Sequence, residues 1–93
     1  MSKWGEIMFI NKSKSGKNNV CGENIAIFRT ELKLSQRMLA DRLQVIGLDI
    51  DKNAIQRMES GQRFITDIEL IYLAKALNRP ILDLLDFHAV DCE

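Results

Sequence analysis

Apolar residues recur at helical spacing through most of the chain, in stretches separated by polar residues and glycines. Between residues 22 and 85, five such stretches place apolar side chains three or four positions apart, as on one face of an α-helix. This pattern predicts an all-α domain of five helices. The expected core positions are Ile25, Phe28 and Leu32 in the first helix, Leu39, Leu43 and Ile46 in the second, Ala54, Ile55 and Met58 in the third, and Leu70, Leu73, Ala74 and Leu77 in the fourth.

Short polar side chains mark where the predicted helices begin. Ser35 stands before the second helix and Asp51 before the third, and both residue types accept hydrogen bonds from the free N–H groups of a first helical turn. Thr66 followed by Glu69 forms a capping-box pattern for the fourth helix. We therefore expect each of these helices to be capped by its own side chain.

The last apolar stretch predicts a short fifth helix. Pro80 suits a first helical position, so the helix is expected to start there and run through Leu85. Leu84 is expected in the core. Ile81, Leu85 and Phe87 either close that core or leave an apolar edge for a second subunit.

The third predicted helix has a polar face opposite its apolar one. On a helical wheel of about 100° per residue, one arc carries Lys52, Asn53, Gln56, Arg57 and Ser60. Lysine and arginine can donate to the acceptors of guanine, and asparagine and glutamine can bond adenine bidentately, so this set suits base edges in a major groove. An ordinary solvated helix face has a similar composition, so the arc alone leaves both interpretations open.

Several short sequence motifs, in a consistent order along the chain, favour the DNA-binding interpretation over an ordinary solvated helix face. The strings are Asn24-Ile25 with Phe28-Arg29, Leu34-Ser35-Gln36, Leu39-Ala40, Ile55-Gln56-Arg57-Met58-Glu59-Ser60-Gly61, and Leu73-Ala74-Lys75-Ala76-Leu77. With their spacing, the segment from about Gly22 to Leu85 resembles the helix-turn-helix domains of the phage-repressor type, the Xre or Cro-like family. That resemblance implies a five-helix, repressor-like helix-turn-helix fold.

The resemblance also implies a function and a role for each matching residue. The family's function is sequence-specific binding of double-stranded DNA by a repressor-type transcriptional regulator, which acts as a homodimer with the third helix in the major groove. The implied base contacts are Lys52, Asn53, Gln56 and Arg57, and the implied phosphate contacts are Gln36, Arg37, Ser60 and Arg63. Glu59 would form a structural ion pair with Arg29.

The chain departs from the family between the second and third helices. Gln44–Ile50 adds about five residues to the usual short turn of this motif. Leu43 and Ile46 continue the apolar spacing of the second helix, which is expected to run one turn further until Gly47 ends it. We expect this insertion to alter the angle of the third helix.

Composition agrees with one small domain, and the charge is unevenly distributed. The 93 residues are 46% apolar and carry no net charge, whereas domains that bind nucleic acid are often basic. Residues 1–20 have a net charge of +3, residues 21–63 of +1 and residues 64–93 of −4. Neither a membrane span nor a secretory signal is apparent, which favours a cytoplasmic protein.

The chain divides into an N-terminal arm at 1–20, the helix-turn-helix domain at 21–87 and a C-terminal tail at 88–93. Lys12–Asn19 is polar, and we favour a solvated tail over a basic arm that reaches DNA. Trp4 with Ile7–Ile10 is apolar enough for a short strand or for a segment that docks on a neighbouring chain.

Catalysis finds little support in the sequence. His88 stands near Asp86 and Asp91 without a partner at metal-ligand spacing, and no phosphate loop is present. Cys21 and Cys92 are expected to be reduced thiols. We therefore predict no enzyme, no cofactor, no metal and no catalytic residue. The competing interpretation is an antitoxin-like or adaptor module that uses the same fold to bind a protein partner.

Overall fold

Five α-helices form residues 16–86, the part of the chain that the computed structural model describes, and this part contains no strand. The helices are α1 (Gly22–Glu31), α2 (Gln36–Val45), α3 (Lys52–Glu59), α4 (Asp67–Leu77) and α5 (Ile81–Leu84). The predicted all-α, five-helix fold is confirmed. The possible strand around Trp4 and Ile7–Ile10 lies outside the described residues, as do Phe87, His88 and Cys92.

The three predicted caps are present. Ser35 Oγ accepts a hydrogen bond of 3.0 Å from the backbone N–H of Met38, and Asp51 Oδ1 accepts one of 2.8 Å from Ala54. Thr66 and Glu69 form the reciprocal capping box, with bonds of 3.1 and 3.0 Å. Each cap satisfies N–H groups that have no partner within their own helix.

The enlarged connection between α2 and α3 is anchored to the core. α2 ends at Val45, and Gly47 takes a φ of +113°, a conformation that favours glycine and turns the chain away from the helix axis. The Gln44 side chain donates to the carbonyl oxygen of Ile50 at 2.7 Å, and Ile50 itself is buried. The extra residues therefore form an ordered connection that holds the start of α3.

The core draws side chains from all five helices. The largest fully buried ones are Ile25, Leu39, Leu43, Ile55, Met58, Leu73, Leu77 and Leu84. Two predicted core positions are wrong, because Leu32 and Ile46 are 42% and 41% exposed. Both lie at the C-cap of a helix, where the chain turns and the helical spacing no longer applies.

Residues before α1 are part of the packed domain. Asn19 donates through Nδ2 to the carbonyl oxygens of Met58 and Arg63 at 3.0 and 2.7 Å, and its Oδ1 accepts from the N–H of Gly22. Asn18 donates from its backbone N–H to Gly61 at 2.8 Å. The interpretation of these two asparagines as part of a solvated arm is wrong, because their amides satisfy carbonyl groups at the end of α3.

The C-terminal end of the domain is tied back to α1. Asn24 Nδ2 donates to the carbonyl oxygens of Leu84 and Asp86 at 3.1 and 2.7 Å. Leu84 is fully buried, as predicted, and α5 runs from Ile81 with Pro80 as its N-cap residue.

Among residues 16–86, no helix has the length and apolar character that a membrane crossing demands.

Candidate nucleic-acid interface

Helix α3 is buried on one side and open on the other. Ala54, Ile55 and Met58 are buried. All five residues of the polar arc are exposed, namely Lys52, Asn53, Gln56, Arg57 and Ser60. A rigid helix with polar donors facing outward is the geometry that reading a groove requires.

A largely buried polar network connects α3 to the rest of the domain. Arg29 of α1 donates to the Glu59 carboxylate through Nε at 2.6 Å and Nη2 at 3.1 Å. The Arg29 and Glu59 side chains are 16% and 8% exposed. Arg29 also donates to the carbonyl oxygen of Leu34 at 2.7 Å. This network links α1, the start of α2 and the end of α3.

Gln36 belongs to the same network. Its Nε2 donates to Glu59 Oε1 at 3.0 Å, and the residue is half-buried. One of the two side-chain amide hydrogens therefore points toward Glu59, whereas the family resemblance implies a phosphate contact for this residue. Its backbone N–H lies in the first turn of α2, where N–H groups have no partner within the helix.

Close backbone packing fixes the distance between α1 and α3. Gly22 is buried at the start of α1, and a Cβ atom on it would lie only 2.2 Å from the carbonyl oxygen of Met58. A side chain at this position would push the two helices apart. Glycine is thus needed here because of contact between helices.

Arg63 has a partner inside the domain. Its Nη1 and Nη2 donate to the two oxygens of Glu69 at 2.9 and 2.8 Å, the same carboxylate that takes part in the capping box of α4. This bidentate bond raises the pKa of Arg63 and lowers that of Glu69. Both Nη atoms of Arg63 thus bind Glu69, and the phosphate contact of this residue stays a prediction.

Cations around α3 lack the carboxylate partners that three other arginines of the domain have. Arg37, Lys52 and Arg57 are exposed and form no salt bridge within 4.0 Å to any residue between 16 and 86. Arg29, Arg63 and Arg79 each pair with a carboxylate. Ser60, a predicted phosphate contact, is exposed and donates to the carbonyl oxygen of Arg57 at 3.2 Å.

An open cleft of about 390 Å³ lies between α2 and the start of α3. Its charged and amide lining consists of Arg37, Asp41, Gln44, Asp51, Lys52 and Asn53. The cleft brings the predicted phosphate contact Arg37 together with the predicted base contacts Lys52 and Asn53. Asp41 is not among the predicted site residues, although its spacing of four from Arg37 places both on one face of α2.

Reactive groups are scarce in the described part of the chain. Cys21 is buried, and burial raises the pKa of its thiol to about 11, which keeps it protonated at neutral pH. Residues 16–86 contain no group of three or more side chains arranged to hold a metal ion.

Comparisons with known proteins agree with this geometry. The family model described as Helix-turn-helix, HTH_3, matches residues 25–84. The fold is similar to the crystal structure of the restriction-modification controller protein C.AhdI from Aeromonas hydrophila, with a TM-score of 0.61 and 28% sequence identity over 69% of this chain and 86% of that one. No curated protein matches the chain. The chain belongs to the Xre-like helix-turn-helix family of DNA-binding transcriptional regulators.

Proposed function

We propose that this protein binds double-stranded DNA sequence-specifically, with α3 in the major groove, and acts as a repressor-type regulator in the cytoplasm. The observation that carries the proposal is the open face of α3. Its lysine and arginine are exposed and make no salt bridge to residues 16–86, its asparagine and glutamine are exposed as well, and the opposite face is buried in the core. The protein acts by binding, with no catalytic step.

Base reading is assigned to Lys52, Asn53, Gln56 and Arg57. The first two lie at the N-terminal end of α3, which is the part of a recognition helix that reaches deepest toward base edges. Arg57 lies one turn further along and suits the two acceptors of guanine.

Phosphate binding is assigned to the start of α2 and to the end of α3. Arg37 is exposed at the start of α2, where the first backbone N–H groups of a helix have no partner within it and can bind an anion. Gln36 contributes its backbone N–H, since its side chain is held by Glu59. Ser60 is assigned a phosphate contact after α3. Arg63 stays a predicted phosphate contact, and it also fixes the loop that leads into α4.

We also propose that two copies bind one site. An eight-residue helix is about 12 Å long and reads only a few base pairs, so one subunit offers little sequence information. Exposed apolar side chains near α5 support a second copy as the partner, because Leu82 is 78% exposed and Ile81 and Leu85 lie beside it. We expect Leu82→Asp to leave the fold intact and to convert the dimer into a monomer. Analytical ultracentrifugation measures the change in mass.

A protein-binding module on the same fold is the second candidate. The exposed apolar residues Phe64, Ile68 and Ile71 favour it, as does the zero net charge. DNA selection separates the two candidates, because a protein-binding module enriches no DNA sequence.

The test is selection from a randomised duplex pool at moderate salt, followed by sequencing of the retained DNA. Arg57→Ala removes a proposed base contact. Lys75→Ala is its control, because Lys75 is an exposed cation on α4. The proposal expects a symmetric motif for the wild type and the control, and a weakened motif for Arg57→Ala. No enrichment by the wild type would overturn the proposal.

Regulatory targets are tested next. The likeness to a restriction-modification controller protein makes genes of such a system the first candidates for a reporter assay. Repression is expected to require the selected motif in the promoter.

A further inference from the structure

The α2–α3 cleft contains two carboxylates on the face that is proposed to approach DNA. Asp41 lies one helical turn after Arg37 on α2, and Asp51 lies directly before Lys52 at the start of α3. Both aspartates are exposed. Such charges are unexpected on a surface that binds a polyanion, and the proposed contacts of the neighbouring residues do not explain them.

Neither carboxylate forms a salt bridge within the described domain, although Asp51 lies near enough to Arg63 to help raise the pKa of that guanidinium. Between residues 16 and 86, no salt bridge within 4.0 Å involves Asp41 or Asp51, although Arg37 and Lys52 line the same cleft. Asp51 Oδ1 caps α3 by accepting from Ala54, which leaves Oδ2 for another donor. Asp41 lines the cleft, caps no helix and forms no side-chain hydrogen bond between residues 16 and 86.

Burying such a carboxylate against DNA has opposite consequences for different sequences. Beside a phosphate or a base acceptor, it is repelled and loses its water without a compensating hydrogen bond. Beside the amino group of cytosine or adenine, which projects into the major groove, it accepts a hydrogen bond instead. A negative charge in this position therefore favours some sequences by penalising the others.

On the basis of the proposed function, we infer that Asp41 and Asp51 are specificity-determining residues. Their carboxylates accept hydrogen bonds from cytosine or adenine amino groups at the operator and repel DNA that lacks these donors in register. The zero net charge of the chain agrees with this inference, because general attraction to phosphate is weak in such a protein.

Asp→Asn substitutions test the inference with little change in shape. Asparagine is as good an N-cap as aspartate, so Asp51→Asn should retain the cap of α3 while replacing the free acceptor with an N–H₂ donor. Asp41→Asn removes the second charge. Asp86→Asn is the matched control, because it changes the net charge equally but follows α5, which packs against α1 and α4.

Each variant is tested by repeating the selection and by measuring Kd for the selected duplex and for a random duplex, with thermal unfolding as a check on folding. We expect Asp41→Asn and Asp51→Asn to bind random DNA about fivefold more tightly, the size of one charge repulsion in water. Each should also lose the preference for cytosine or adenine at one position. Asp86→Asn should retain the wild-type motif.

Two results overturn the inference and are distinguishable. If the wild type enriches a motif and both variants behave like Asp86→Asn, the specificity role is wrong and DNA binding stands. If the variants weaken binding to both duplexes equally, the aspartates are structural and the inference also fails. If the wild type enriches nothing, the proposed function itself fails.

Discussion

Glu59, at the end of α3, accepts two hydrogen bonds from Arg29 of α1 in a pair that is almost entirely buried. This ion pair joins the helix that is proposed to read DNA to the first helix of the domain. Gln36 adds a third bond from the start of α2. One carboxylate thus links three helices.

Removing that carboxylate should be costly. Glu59→Ala leaves the buried Arg29 guanidinium without its partner, and we expect a loss of about 3 kcal/mol in the free energy of unfolding. Urea denaturation followed by circular dichroism measures it.

Glu31→Ala is the control, because it breaks the exposed pair with Arg79, which retains its stacking on Phe28 at 4.4 Å. The control should lose less than about 1 kcal/mol. Similar losses in both variants would contradict a special role for Glu59.

Gly22→Ala should destabilise the domain despite the better helix propensity of alanine. Propensity favours alanine by up to about 1 kcal/mol, whereas forcing a methyl group into a packed contact costs about 1–3 kcal/mol. A Cβ only 2.2 Å from the Met58 carbonyl oxygen makes the second effect dominate. Thermal unfolding measures the change.

Gly16→Ala is the comparison for that substitution. Its φ of +85° disfavours alanine, but a Cβ there would meet no heavy atom within 4 Å. We expect Gly16→Ala to lower the melting temperature less than Gly22→Ala does. The reverse order would show that α1 and α3 can separate at little cost.

Acidification should weaken the link between Arg63 and Glu69. Hydrogen bonding by Arg63 holds the pKa of Glu69 below its ordinary value of 4.5 in the folded protein. A depressed folded-state pKa contributes stability that is present above the ordinary value and is lost as the pH falls through the folded-state value. Above pH 5, the free energy of unfolding of the wild type should therefore exceed that of Glu69→Gln. This difference should shrink as the pH falls from 5 toward the acid limit of folding, as expected when a single carboxylate titrates.

The same titration in an Arg63→Ala background identifies the cause. Without the guanidinium, the largest effect that lowers the pKa of Glu69 is absent, so the pH dependence of the stability difference should shrink. An unchanged pH dependence would mean that the capping bond from Thr66 is the main cause.

Arg37→Ala should weaken binding to every DNA sequence by a similar factor and lower the slope of log K against log salt concentration by about 1. This follows from its position at the start of α2, where no carboxylate between residues 16 and 86 forms a salt bridge with it. Titration of selected and random duplexes at several salt concentrations measures both effects. A loss confined to the selected duplex would reassign Arg37 to base reading.

Periodicity and capping were readable in the amino-acid sequence because they depend on residues within one or two turns. The buried and exposed faces of α3 follow from its own spacing, and the caps at Ser35, Asp51 and Thr66 follow from bonds across three residues. The pairing of Arg29 with Glu59 came from a different source, the resemblance of the strings around these residues to a known family.

Tertiary structure decided what each polar side chain does with its remaining donors and acceptors. Arg63 and Arg37 are both arginines with the same predicted role, a phosphate contact. In the structure, Arg63 binds Glu69 and Arg37 is exposed beside the cleft. Asn18 and Asn19 belong to a polar stretch whose composition is typical of a flexible arm. Their side-chain amides nevertheless donate to carbonyl oxygens more than thirty-five residues away along the chain. Local hydrogen bonds and helical faces depend on near neighbours along the chain, whereas the choice among distant partners depends on which groups the packed helices bring within reach.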